Sequence, residues 1–154
     1  MIEDAAPQPE LDAEARLRRF IDRMMAMVPH LQALGIRFHA MGSDWAELEM
    51  PYAPHLVAYP ETGVIASGAI FSLMDSVAGF SVLVKRGEFV PHATLDLRCD
   101  YLRPAEPGKT VIGRAECYKT TRRVAFVRGI AHDGDPGHPI AHVAGTFMFT
   151  AAEA

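Results

Sequence analysis

Between Thr62 and Val84 the chain runs for 23 residues with a single charge, Asp75. That length matches the hydrocarbon span of a bilayer, so it sets the first question about the fold. Three features turn the segment inward instead. It carries Ser67, Ser72, Ser76 and Ser81, and an aspartate at mid-helix costs about 2.5–3.5 kcal/mol on insertion into a membrane. Strand-like segments follow it that would otherwise have nothing to cover them. A helix apolar on every side also suits the buried centre of a soluble fold. We therefore expect a core helix that begins near Ser67 and ends before Gly87.

A chain of 154 residues supports one domain of ordinary size. It is expected over residues 11–154, behind a Pro-rich, acidic and flexible tail at 1–10. Apolar residues make up 49% and charged residues 22%, which excludes wholesale disorder. A net charge of −4 offers no basic footprint for nucleic acid. Cys99 and Cys117, without a C-x-x-C pair, exclude a disulfide scaffold and a thiolate zinc site and suit a reducing cytosol. The opening MIEDAAPQPELDAEA is acidic where a signal peptide needs basic residues and an apolar run. The expected location is cytoplasmic, with neither membrane nor nucleic acid as partner.

Ahead of the apolar segment, Leu17, Phe20, Ile21, Met24, Met25 and Val28 recur at helical spacing within Leu11–Val28, an amphipathic helix limited by Pro29. Ile36–Met41 and Trp45–Met50 read as two strands about a turn, and three prolines mark 51–62 as a loop. Beyond the apolar helix, Thr94–Tyr101 alternates. Leu95, Leu97, Cys99 and Tyr101 share one face, and Asp96, Arg98 and Asp100 the other. Strands over 109–118, 123–131 and 140–149 follow. Gly113, Gly129 and Gly145 stand 16 residues apart. Antiparallel pairing of the first with the second, and the second with the third, centres both hairpins on Thr121 and Gly137, in or beside turns read independently. Side by side, the three glycines would form a trough where another backbone approaches closely. The apolar helix is the element available to fill it. The expected fold is α+β, one antiparallel sheet wrapped around one buried helix.

The signatures G-x-G-x-x-G, G-x-x-x-x-G-K-[ST], H-E-x-x-H and G-x-S-x-G are absent from the sequence. His138 and His142 share a strand face in this reading, but without an acidic or cysteine partner they make no metal site. Asp75 is the residue that stands out. A carboxylate inside a buried helix either satisfies a structural network or works on a ligand. The first helical turn, at Ser67, Gly68 and Ala69, presents unpaired N–H groups at the positive end of the dipole, a cradle for a developing oxyanion. Ser67 and Asp75 lie eight residues apart, about 12 Å along a helix. One carbonyl cannot meet both in a single chain, because attack needs contacts of roughly 3–3.5 Å. If both serve one reaction, two antiparallel helices about a two-fold axis supply two composite sites.

From Gly63 to Gly79, the run GVIASGAIFSLMDSVAG resembles the helix motif of hotdog-fold thioesterases of the PaaI type. In that motif Gly-x-x-His-Gly-Gly precedes an acidic residue that follows the histidine by nine positions. Thr94–Ala105, TLDLRCDYLRPA, is similar to the family's long strand and its Arg-Pro turn. The resemblance covers about residues 30–150. It implies that Asp75 is the nucleophile or general base on an acyl-CoA thioester, and that the N–H of Ser67, with Gly68 beside it, is the oxyanion donor. It further implies that Thr94 orients the attacking water, and that Arg103, Arg122 and Arg123 meet the phosphates of coenzyme A. A homodimer or homotetramer is implied, with no metal and no resident cofactor, coenzyme A entering as part of the substrate.

This chain departs from the family pattern at three positions. Ala66 replaces the histidine, Ser67 the first glycine, and Pro60 a residue that is commonly Asn or Gln. A serine keeps its N–H, so the oxyanion donor survives. His55, Tyr59, Glu61 and Thr62 are the polar groups of the preceding loop that can stand in. The expected activity is acyl-CoA hydrolysis. The alternatives are a non-catalytic acyl-CoA binder, favoured by Ala66 and Pro60, and a hotdog dehydratase, whose chemistry wants a histidine and a carboxylate paired across the interface.

Overall fold

The computed structural model describes residues 9–150. Its first element, α1 (Pro9–Met27), buries Ile21 and Met25 and lays Leu17, Phe20 and Met24 against the same core. The expected tail at 1–10 falls on residues 1–8, outside those described, and on Pro9 and Glu10, which open α1. Pro29 ends α1 as its missing donor requires, and then opens a short second helix, α2 (Pro29–Leu34), that the sequence reading did not include. Gly35, at φ 66°, closes α2 in the left-handed conformation.

Strands β1 (Arg37–Met41) and β2 (Trp45–Met50) precede the Pro-rich loop, which makes a single 3-10 turn at Pro54–Leu56. Next comes α3 (Ser67–Arg86), capped by Gly87 at φ 68°. Four long strands follow: β3 (His92–Tyr101), β4 (Val111–Thr120), β5 (Val124–His132) and β6 (Ala141–Phe149). All pair antiparallel in one sheet of order β1-β2-β4-β5-β6-β3. The sheet wraps α3, whose Leu73, Met74, Val77, Ala78 and Val82 are fully buried. The apolar run is therefore a core helix whose hydrocarbon faces strands.

Two strand details correct the sequence reading. Gly113 pairs with Ala131, Gly129 with Ala115 and Val143, and Gly145 with Val127 and Leu97. Both hairpins are thus displaced by two residues, and the glycines do not lie side by side. A slip of two keeps every side chain on its face, so alternation cannot detect it. Gly113 alone meets the helix, where a Cβ would stand 3.0 Å from Met74 Sδ and 3.1 Å from Leu73 Cγ. At Gly129 and Gly145 a Cβ would strike the backbone of the neighbouring strand.

The second correction lies in β3. Its register shifts between Thr94 and Asp96, so Leu95 is an extra, unpaired residue and is 54% exposed. A bulge reverses the sense of alternation. Leu97 and Cys99 face the core as expected, whereas Leu95 does not. Before the bulge, His92 and Thr94 are the residues turned toward α3. His138, for its part, sits in the β5–β6 turn and not on a strand with His142.

Candidate active site

Asp75 projects from the middle of α3 toward β3 and is half-buried rather than enclosed. Thr94 Oγ1 donates a hydrogen bond to Asp75 Oδ1 at 2.8 Å. Two of the residues singled out by sequence therefore meet, and the β3 bulge is what aims the hydroxyl. They line a cavity of about 530 Å³ between α1, α3 and β3. Met24, Leu31, Phe80, Leu83 and Phe89 give it apolar walls, while His30, Asp75, Ser76, His92, Thr94 and Thr150 are its polar lining residues.

His92 was not among the residues picked out by sequence. Its Nδ1 lies 2.7 Å from the Val90 carbonyl, an acceptor, so Nδ1 carries the proton and Nε2 the lone pair in the neutral ring. The ring stands edge-on to Phe147 at 5.5 Å. The available signal was its place two residues before Thr94, legible only once the bulge has set which face those residues share. Across from His92 lies Gly79, one turn past Asp75. Glycine in a helix interior costs about 0.5–1 kcal/mol relative to alanine.

At the other end of α3, Ala66 is the N-cap and offers no side-chain cap. Its own N–H donates to the Leu56 carbonyl at 2.8 Å, and its carbonyl receives the Ala69 N–H at 3.1 Å. The N–H groups of Ser67 and Gly68 are left to solvent or ligand. Both residues are exposed, and a Cβ on Gly68 would meet nothing within 4 Å. The Tyr101 hydroxyl donates to the Ser67 carbonyl at 2.8 Å. Ser67 and Tyr101 border a second cavity of about 530 Å³, walled by Tyr59, Thr62, Ile70, Leu102 and Pro104. Of the loop residues considered as stand-ins, Tyr59 and Thr62 line it. His55 instead approaches the Ala33 carbonyl on α2 at 2.9 Å, and Glu61 is exposed. The continuous helix keeps Ser67 and Asp75 about 12 Å apart, in separate cavities.

The three arginines differ sharply. Arg103 grips Asp133 with both terminal nitrogens, at 3.0 and 2.6 Å, and donates to the His138 and Pro104 carbonyls as well. These contacts engage all five guanidinium N–H groups, leaving none for a phosphate. Asp133 is 5% exposed and also accepts the Glu106 N–H at 2.8 Å. The guanidinium holds its carboxyl well below the usual carboxylate range. Arg122 and Arg123 lie exposed in the β4–β5 turn. The Arg123 carbonyl accepts the Phe149 N–H, and the next residue, Thr150, lines the Asp75 cavity. Among the described residues, no three His, Cys, Asp or Glu side chains converge as they would around a metal ion.

The family model of the thioesterase superfamily matches residues 62–140. A crystal structure of a Pseudomonas aeruginosa protein is 44% identical, with TM-score 0.79 over 86% of this chain and 98% of its own. The medium/long-chain acyl-CoA thioesterase YigI of Escherichia coli is 26% identical over 90% of this chain and 96% of its own length. The Escherichia coli PaaI structure, from the phenylacetic acid degradation operon, is 16% identical yet superposes with TM-score 0.78 over 90% of this chain and 96% of its own. The last likeness is one of fold.

Proposed function

The chain belongs to the thioesterase superfamily and is a thioesterase; we propose that it hydrolyses an acyl-coenzyme A thioester at a site composed from two copies of the chain. The observation that carries this reading is the hydrogen-bonded Asp75–Thr94 pair lining a largely apolar cavity. Thr94 donates to Oδ1, and in the general-base form of the reaction Oδ2 takes a proton from water. The water oxygen then bonds to the thioester carbon. The carbonyl π pair moves to oxygen, where the Ser67 and Gly68 N–H groups of the second copy receive the negative charge. Collapse re-forms the carbonyl, breaks the C–S bond and expels the thiolate, which takes up the proton held by Asp75. The products are the free acid and coenzyme A.

The shared site is supported by how β3 runs. It carries Thr94 beside Asp75 near one end and Tyr101 beside Ser67 at the other. Among the described residues its outer edge is unpaired, and Leu95, Tyr101 and Leu102 along it are 54%, 44% and 56% exposed. Two such edges meeting antiparallel would set the Ser67 end of one chain beside the Asp75 end of the other. For the coenzyme A phosphates, Arg123, with Arg122 beside it, is better placed than Arg103. The acyl-CoA substrate is supported by the named activity of the Escherichia coli relative.

Release of free thiol from a panel of acyl-CoAs, from acetyl to palmitoyl and including phenylacetyl, tests the proposal. Turnover on at least one member is expected. A ligand-induced rise in melting temperature without release would replace hydrolysis with binding alone.

A further inference from the structure

The Tyr101 hydroxyl donates to a carbonyl that the helix already serves. Ser67 opens α3, and its carbonyl takes the Phe71 N–H as the first helical turn requires. The 2.8 Å bond from Tyr101 is a second one on the same oxygen, and the helix does not require it. Tyr101 is itself held in place. It pairs with Ala141 at the end of β3, and the next N–H, that of Leu102, donates to the Ile140 carbonyl at 2.8 Å. Water has access to the residue, which is 44% exposed, yet the hydroxyl proton is committed to the helix. Partial burial, with the Cys99 thiol beside it, pushes the phenol pKa up, so the group stays a donor at any working pH.

That bond reaches the peptide between the two residues of the oxyanion cradle. A peptide is planar and trans, so its C=O and N–H point in opposite directions. The Ser67 C=O belongs to the same unit as the Gly68 N–H, which the helix leaves without a partner. A donor on the oxygen draws density from the nitrogen across the conjugated unit and makes the N–H a better donor. Linked hydrogen bonds strengthen one another in this way by about 10–30% per bond. Anchorage to a strand also fixes the plane of the peptide, so the N–H is aimed before charge develops.

We propose that Tyr101 is a positioning residue of the reaction, acting through the Ser67 carbonyl to fix and polarise the peptide whose Gly68 N–H meets the oxyanion. The inference rests on the acyl-CoA reading above and adds to it a residue that acts through the helix backbone. Strand β3 then serves both parts of the chemistry, with Thr94 on the carboxylate and Tyr101 on the oxyanion cradle. One oxyanion donor is worth about 10²–10³ in rate, and 10–30% of that free energy is about two- to eightfold.

Tyr101→Phe keeps the ring and removes the hydroxyl. Thiol release in single turnover, with enzyme in excess and the acyl-CoA that the wild type cleaves fastest, separates the chemical step from binding. The saturating rate is expected to fall about two- to eightfold, with the half-saturating enzyme concentration and the melting temperature unchanged. Replacing Tyr101 by 3-fluorotyrosine, whose phenol is the stronger donor, should give release faster than wild type. An unchanged rate in Tyr101→Phe overturns the inference. A loss expressed as weaker half-saturation overturns it too, since a merely structural bond would give that. Should Tyr101→Phe melt well below wild type, the fluorinated chain, which keeps the bond, decides: faster release upholds the inference, and equal or slower release overturns it. No release by the wild type removes the hydrolysis reading and this inference with it. Release that Tyr101→Phe leaves unchanged removes this inference alone.

Discussion

Asp75 and Thr94 show how a residue's neighbours, more than its identity, define its work. The carboxylate accepts a hydrogen bond from the Thr94 hydroxyl at one oxygen and lines a largely apolar cavity. Asp75→Asn keeps the shape of the group and removes its basicity. A general base predicts a fall in kcat of about 10²–10⁴-fold, with coenzyme A binding kept, as steady-state kinetics beside a thermal-shift titration would show. A purely structural aspartate would instead lose stability and leave turnover of the folded fraction intact. Hydrolysis by Asp75→Asn at the wild-type rate would remove Asp75 from the reaction. Asp75 was legible in the sequence because it is the only charge in the apolar run. Its partner's aim was not, because an inserted residue at Leu95 changes which side chains of β3 face inward.

Among the elements, the Arg103–Asp133 pair joins the turn after β3 to the turn after β5, beside the cavity that Ser67 borders. A carboxyl held below its unfolded value contributes stability that is fully present above the unfolded pKa, about 3.9, and is lost as pH falls toward the folded value. Asp133→Asn should therefore melt lower at pH 7. With Arg103 one-fifth exposed, the loss is taken at the low end for a broken buried pair, about 3 kcal/mol, or roughly 10 °C in a chain of this size. The gap to wild type should close as the pH is lowered below about 4. Melts across pH 3 to 7 check this, and a gap that stays constant through that range would refute the electrostatic account. The family resemblance marked Arg103 for a phosphate by its place in the Arg-Pro turn. Only the folded chain brings up Asp133, 30 residues on, to occupy it.

At the scale of the whole molecule, the proposed oxyanion donors at Ser67 and the carboxylate of Asp75 stand about 12 Å apart on one helix. Proline suits the first position of a helix, and Ala66 at φ −60°, ψ 135° already has the extended backbone that precedes proline. Ser67→Pro thus deletes the proposed oxyanion donor with little effect on the fold. Alone, Ser67→Pro and Asp75→Asn should each be nearly inactive. Mixed after partial unfolding and reassembly, they should recover about a quarter of wild-type activity, since half the dimers are mixed and each holds one intact site. No recovery, or a monomer's mass by light scattering at micromolar concentration, would refute the shared site.

The sequence by itself determined the class of fold and the places where chemistry is possible. Apolar periodicity marks α1, an unbroken apolar run marks α3, Gly87 ends it, and alternation marks the strands, because each of these signals is local in the chain. It also singled out Asp75, since an isolated charge among apolar residues needs a partner or a task. Tertiary structure decided register, direction and commitment. Hairpin register shifts by two without changing a face, the bulge at Leu95 turns Thr94 and His92 toward α3, and Asp133 claims Arg103 from 30 residues away. Each of these depends on contacts between elements distant in sequence, and residue pattern along one strand or helix carries no record of them.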